Sequence, residues 1–259
     1  MPFSSALRRI ACGAAFSSLA IVASASRADT VQVLTAGAFK QVVLAMVPGF
    51  EARTGHTVVV SNDTVGALAG RVSGGEPFDV LVMTPSALRT LADDGRVAGD
   101  TIRPLARVAI GVAVKAGAPQ PPVGTVEQFR QALLQARSVA YIDPASGGSS
   151  GIYLDGLFRR LGIADQVRAK AVLVKGGLVA EKLVSGEAEL AVHQISEILP
   201  VTGVELVGPI PEPVQNYTTY AGAVGTKALH REAGQAFLDT LSGGRTTAVL
   251  EEKGLYPPN

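Results

Sequence analysis

From residue 30 onward the chain alternates short runs of Val, Ile and Leu with stretches whose apolar residues recur at helical spacing, the pattern of a mainly parallel α/β sheet. Strands are predicted over 31–35, 57–61, 78–83, 139–142, 171–174, 189–192 and 205–207. Helices are predicted over 39–53, 66–73, 85–93, 126–136, 151–161, 178–185, 228–241 and 245–253. Two segments break this rhythm. Residues 105–115 read as one long apolar strand followed by a Pro/Gly-rich stretch, and residues 217–225 as a second, preceded by Pro209, Pro211 and Pro213. Two such strands flanking a central block let a chain cross to a second lobe and return. The expected architecture is α/β with two lobes, residues 29–107 plus 224–259 in the first and 108–223 in the second.

The N-terminus adds a destination. Arg8 and Arg9 lead into an apolar run that ends in Ser26-Arg27-Ala28, the form of an export signal over residues 1–28, with cleavage after Ala28 or after Ala25. Cys12 is the only cysteine and lies inside that segment, so disulfides and thiolate metal sites are not expected in the mature chain. Removing Arg8, Arg9 and Arg27 takes 23 basic and 22 acidic residues to 20 and 22, a mature net charge of about −2. With no basic stripe and no tryptophan, nucleic acid is not the expected partner. No second run is long and apolar enough to span a membrane, and stable membrane insertion is not expected.

In open α/β sheets ligands bind at the carboxyl ends of strands, where loops feed helix N-termini. Four such loops are small and polar here: Thr35-Ala36-Gly37-Ala38, Asn62-Asp63-Thr64-Val65-Gly66, Ala145-Ser146-Gly147-Gly148-Ser149-Ser150-Gly151 and Lys175-Gly176-Gly177. Backbone N–H groups at helix starts, approached closely through glycine, cradle an anion without a buried cation. The same residues also serve simply to end strands and cap helices.

Four stretches carry a resemblance. They are Val31-Gln32-Val33-Leu34-Thr35-Ala36-Gly37-Ala38-Phe39; Gly75-Glu76-Pro77-Phe78-Asp79-Val80-Leu81-Val82; Asp143-Pro144 followed by Gly151-Ile152-Tyr153; and the closing Gly254-Leu255-Tyr256. In this order they resemble the periplasmic molybdate-binding protein family. The resemblance implies a type II periplasmic-binding-protein fold, two lobes joined by two crossover strands and closing on a dehydrated tetrahedral oxyanion, a periplasmic location, and a membrane permease with its ATPase subunits as partners. It implies no cofactor, and a clamshell of this kind is expected to be a monomer.

Carried over residue by residue, the family's first ligand serine falls at Ala38 and its serine-rich second loop near Thr64. The serine of the next helix start falls at Ser150, beside Ser149. A backbone donor falls at Gly176, and the family's tyrosine at Gln194. The expected ligand-binding set is Gly37, Ala38, Phe39, Lys40, Thr64, Gly66, Ser149, Ser150, Gly176 and Gln194. The expected ligand is a tetrahedral oxyanion such as molybdate or tungstate, with a small organic anion such as a di- or tricarboxylate as the alternative. The polar segment His193-Gln194-Ile195-Ser196-Glu197, together with Lys40 and Lys175, suits the second.

Enzyme readings are weaker. Gly147-Gly148-Ser149-Ser150-Gly151 matches the Gly-x-Ser-x-Gly of serine hydrolases, with His193 or His230 as the conceivable base, but Pro144-Ala145-Ser146 separates it from the preceding strand. His56, His193 and His230 lack metal-ligand spacing, and no phosphate-loop Gly-Lys-Ser or Gly-Lys-Thr occurs. No catalytic residue and no metal site is expected.

Overall fold

The structure is a computed structural model that describes Met1 and residues 28–258. The export segment predicted over residues 1–28 therefore lies almost wholly outside the described residues. The chain runs β1 (Thr30–Ala36), α1 (Gly37–Thr54), β2 (Thr57–Asp63), α2 (Val65–Ser73), β3 (Val80–Met83), α3 (Pro85–Asp93), β4 (Arg103–Val108) and β5 (Ile110–Lys115). It continues α4 (Val126–Gln135), β6 (Val139–Ile142), α5 (Ser149–Arg160), α6 (Ala164–Arg168), β7 (Ala171–Val174), α7 (Glu181–Val184), β8 (Leu190–Gln194) and α8 (Ile195–Ile198). It closes with β9 (Val204–Pro209), β10 (Thr218–Val224), α9 (Arg231–Ser242) and α10 (Thr246–Glu252). Among the described residues no helix is long and apolar enough to cross a membrane.

The strands form two five-stranded sheets, ordered β2-β1-β3-β10-β4 and β7-β6-β8-β5-β9. Each is mixed. In the first, β1 pairs in parallel with β2 and β3, while β10 runs antiparallel to β3 and β4. In the second, β6 pairs in parallel with β7 and β8, while β5 runs antiparallel to β8 and β9. Strands such as β3, β6 and β8 are buried along their whole length, as sheets covered on both faces require, and this explains their continuous apolar runs. Phe39, Phe50, Leu68 and Phe237 pack on the first sheet; Phe129, Leu154 and Phe158 pack on one face of the second, with Val179 and Leu183 on the other.

The long strand expected over 105–115 is two strands in two different sheets, β4 and β5, with Ala109 between them. The second expected crossing also differs. Residues 218–224 are β10, an interior strand of the first sheet, so the chain returns between Pro209 and Thr218 rather than at residue 224. Periodicity locates an apolar extended segment and is blind to which sheet will hydrogen-bond it. Gln215 staples the two crossings together. Its Oε1 accepts from the Ile110 N–H at 2.8 Å, and its Nε2 donates to the carbonyls of Ile110 at 2.9 Å and Ile210 at 3.1 Å. Arg107, beside the first crossing, lays its guanidinium over the rings of Tyr217 and Tyr256, 5.2 and 5.7 Å from their centroids.

Two of the sequence motifs have structural duties. Buried Asp79 accepts from the backbone N–H groups of Gln32 and His230, both at 2.8 Å, tying β3 to β1 and to the start of α9. Gly151 sits where any side chain would run into the Ile142 carbonyl, so only glycine lets α5 pack this closely on β6.

Candidate functional site

The carboxyl ends of β1, β2, β6 and β8 face one another across the two sheets, and between them lies a cavity of about 30 Å³. From the first lobe it is lined by residues 36–38, 62–65 and Tyr220. The second lobe contributes Ile142, residues 148–150, Gly177, His193, Gln194 and Glu197.

Two long helices begin at this cavity without a side-chain cap. Helix α1 follows Ala36, and α5 follows Gly148; neither N-cap side chain accepts from the first turn. The orphan N–H groups of those turns and the positive ends of the two helix dipoles are thus left for an anion. Helix α2 differs, because the Thr64 hydroxyl accepts from Ala67 N–H at 3.1 Å and donates to the Ser146 carbonyl at 2.6 Å. That hydroxyl is committed to capping its helix and to bridging the lobes.

The lobes are in direct contact around the cavity. Gly66 N–H donates to the Gly147 carbonyl at 3.1 Å, and the Ser196 hydroxyl donates to the Ala38 carbonyl at 2.8 Å. A Cβ on Gly66 would stand 2.8 Å from Gly147 Cα, so closure to this distance depends on glycine at that position. The Tyr220 hydroxyl donates to Gln194 Oε1 at 3.1 Å and lies 3.3 Å from Ser149 Oγ. The Gln194 carbonyl is thereby occupied, and its Nε2 lies 3.4 Å from Ser149 Oγ. Ser150, buried at the start of α5, lines the cavity.

Glu197 enters from α8, and its carboxyl lies against the backbone of Gly37 so closely that a Cβ on Gly37 would overlap Oε1. Burial pushes this carboxyl up to about 8, with the Lys40 charge opposing the shift. The neighbouring His193 is 1 % exposed; burial pushes its imidazole down to about 4, with a backbone hydrogen bond to Gln194 opposing. His193 Nδ1 is 3.5 Å from Glu197 Oε2 and has no hydrogen-bond partner. At neutral pH both groups are largely uncharged. Burial, and then the Glu197 charge, raise the Tyr220 hydroxyl, which therefore stays a donor.

Of the residues expected from sequence, Gly37, Ala38, Thr64, Ser149, Ser150 and Gln194 line the cavity. Phe39 does not: its ring is fully buried in the core of the first sheet, one residue past the helix turn that faces the cavity. Lys40 stands outside the lining and acts by charge on Glu197. Gly66 meets Gly147 instead of the cavity, and at the fourth loop Gly177 lines the cavity in place of Gly176. Lys175 is exposed and takes no part in the lining.

Glu197 and His193 were legible only as a polar strand end, and Tyr220, read as part of a crossing strand, carried no local signal. The hydrolase motif finds no base, since Ser149 Oγ meets Tyr220 and Gln194 and no imidazole. His56 and His230 do converge, on Asp29, with Nδ1 atoms 4.0 and 3.2 Å from its carboxylate, but the described residues hold no cluster suited to a metal ion.

The model of one protein family, described as bacterial extracellular solute-binding protein, matches residues 31–256. An aconitate isomerase from Pseudomonas sp is 34% identical over 257 residues, covering 97% of this chain and 97% of that protein. The molybdate-binding protein ModA of Azotobacter vinelandii is 26% identical over 250 residues, covering 90% of this chain and 92% of its own. Among solved structures, the periplasmic molybdate-binding protein of Azotobacter vinelandii superposes with a TM-score of 0.75 at 19% identity, over 88% of this chain and 100% of that one. The resemblance carried by the four sequence motifs therefore extends to the whole fold.

Proposed function

The chain belongs to the bacterial extracellular solute-binding protein family, and from that premise we propose that it captures a small organic anion with two or more carboxylates between its lobes. On this reading it works in the periplasm after removal of its export segment and presents the closed form to an ABC permease and its ATPase subunits. The ligand's carboxylates sit at the N-termini of α1 and α5, with Ser149, Ser150 and the Gln194 amide as side-chain donors and the Tyr220 hydroxyl, which donates to Gln194 Oε1, orienting that amide.

The observation that carries this choice is the Glu197 carboxyl at the mouth of α1. A fully ionised tetrahedral oxyanion offers only acceptors and is served best by a shell of donors alone. Here one wall is a carboxyl beside an imidazole, two groups that accept as well as donate, and the family's serine at the first loop is Ala38. An organic acid brings both acceptor oxygens and hydrogens to such a wall. The tetrahedral oxyanion is the second reading, favoured by the uncapped helix starts and by the 26% identical molybdate-binding relative. The Pseudomonas relative favours carboxylates, and among them an unsaturated tricarboxylate of the aconitate type.

A thermal-shift series on the mature protein decides between them, because a ligand that binds only the folded state raises its melting temperature. Succinate, citrate, cis-aconitate and trans-aconitate are compared with molybdate, tungstate and sulfate. A shift with a carboxylate is expected. A shift with molybdate or tungstate and with no carboxylate would overturn the reading.

A further inference from the structure

Glu197 is the least expected group in an anion cleft. Its carboxyl is nearly buried, lines the cavity, and makes no hydrogen bond among the described residues. Gly37 leaves the space that it fills. The titratable groups around it are His193 from β8, 3.5 Å away and itself unpartnered at Nδ1, Tyr220 from β10, Asp63 at the end of β2, and Lys40 of α1. A buried carboxyl with no partner, facing a ligand cavity and backed by a neutral imidazole, is the arrangement of a group that exchanges a proton with what is bound.

We infer that Glu197 is a catalytic proton carrier that moves a proton between two carbons of a bound unsaturated polycarboxylate, with His193 as the residue that positions it. This rests on the carboxylate reading above. In its ionised form Glu197 takes a proton from the saturated carbon next to the double bond. That C–H bond breaks, and its electron pair delocalises through the double bond into a carboxylate. The added charge falls on carboxylate oxygens held at the N-termini of α1 and α5, where helix dipoles and free N–H groups stabilise it most. Glu197 then returns the proton to the far carbon of the three-carbon unit. The double bond has moved or, after rotation in the delocalised anion and return to the first carbon, has changed geometry. Substrate and product have the same composition, so neither oxidant nor reductant is consumed.

Burial strengthens the carboxylate as a base toward a carbon acid, because a group held at about 8 has a greater proton affinity than an ordinary carboxylate. His193 packs beside the carboxyl, its Nδ1 3.5 Å from Oε2 and without a hydrogen-bond partner, and so limits where the carboxyl can sit at the edge of the cavity. Its neutral state adds no counter-charge to that of Lys40, so burial outweighs the one cation that weakens Glu197 as a base.

The test is run on the full mature protein with trans-aconitate in deuterated water. NMR follows deuterium at the carbon-bound positions and any new isomer, and calorimetry on the same sample measures binding. The wild type is expected to bind and to incorporate deuterium, at a rate that rises with pH and levels off once Glu197 is ionised. Glu197→Gln keeps the shape and removes the base; binding should stay within about tenfold while exchange falls at least about 100-fold. His193→Asn should shift the pH profile of exchange while leaving binding within the same range. Binding without exchange in the wild type overturns this inference and leaves the carboxylate reading standing. Absence of binding to trans-aconitate and to every carboxylate in the thermal-shift series overturns both. Exchange that survives in Glu197→Gln, or a wild-type rate that is flat between pH 6 and 9, removes Glu197 from the role even if the variant is hard to fold.

Discussion

Replacing Glu197 with Gln has a consequence for stability that does not depend on the ligand. The folded chain holds this carboxyl at about 8 against an ordinary value of 4.5, so between those pH values the native state binds a proton that the unfolded chain has released. By linkage, the stability contributed by the raised group is full below pH 4.5 and is lost as pH rises through 8. A shift of that size corresponds to something on the order of 5 kcal/mol. His193 acts in the opposite direction. Lowered from 6.5 to about 4, it contributes stability that is full above pH 6.5 and is lost as pH falls through 4. Between pH 4.5 and 6.5 the two slopes oppose each other and the wild type should be nearly flat; between 6.5 and 8 only Glu197 titrates, and stability should fall.

Glutamine is an uncharged isostere, so the variant keeps the His193 limb and loses the alkaline decline. At pH 8.5 it should exceed the wild type by several kcal/mol, or about 10 °C or more in Tm for a chain of this length. The gap should shrink steadily toward pH 4.5. Urea unfolding of the ligand-free protein at half-unit intervals of pH measures it directly. Parallel curves for the two proteins from pH 5 to 8.5 would refute the argument, because they would mean that the carboxyl ionises in the cavity as it does in water.

Other perturbations separate binding from closure and from folding. Ser150→Ala removes one buried hydroxyl from the start of α5 and leaves the backbone donors in place; carboxylate affinity should fall by about 1 to 3 kcal/mol in calorimetry, and an unchanged value takes Ser150 out of the site. Gly66→Ala places a Cβ 2.8 Å from Gly147 Cα only when the lobes are shut, so affinity should drop by about 1 to 3 kcal/mol while the ligand-free melting temperature stays put. A fall in that melting temperature instead would mean the damage is to the first lobe itself. Gln215→Ala strips partners from the Ile110 N–H and from the Ile110 and Ile210 carbonyls, and should cost about 2 to 4 kcal/mol in denaturant unfolding; a smaller loss than about 1 kcal/mol would mean water replaces the staple.

Much of the molecule was legible in the sequence because it is locally encoded. The buried runs of β3, β6 and β8 and the helical periods around them fix element type wherever they are placed, and the glycine and serine loops mark strand ends whatever the tertiary context. The two segments that break the rhythm correctly announced a chain that changes lobes. The resemblance in four ordered motifs carried the fold, since Asp79, Gly151 and Tyr256 make contacts that join separate elements of it.

What only the tertiary structure decided depends on residues far apart in the chain. Whether 105–115 was one strand or two was settled by which neighbours offered hydrogen bonds, and periodicity contains no information about those. Tyr220 reaches Ser149 across 71 residues, and Ser196 reaches Ala38 across 158, so neither partner could be read from the other's surroundings. The chemistry of the cleft is more dependent still. The proton affinities of Glu197 and His193 are properties of burial, created when α8 is pressed between the lobes against the start of α1; in the sequence the same two residues are an ordinary acid and an ordinary imidazole, because desolvation exists only once the rest of the chain has excluded the water.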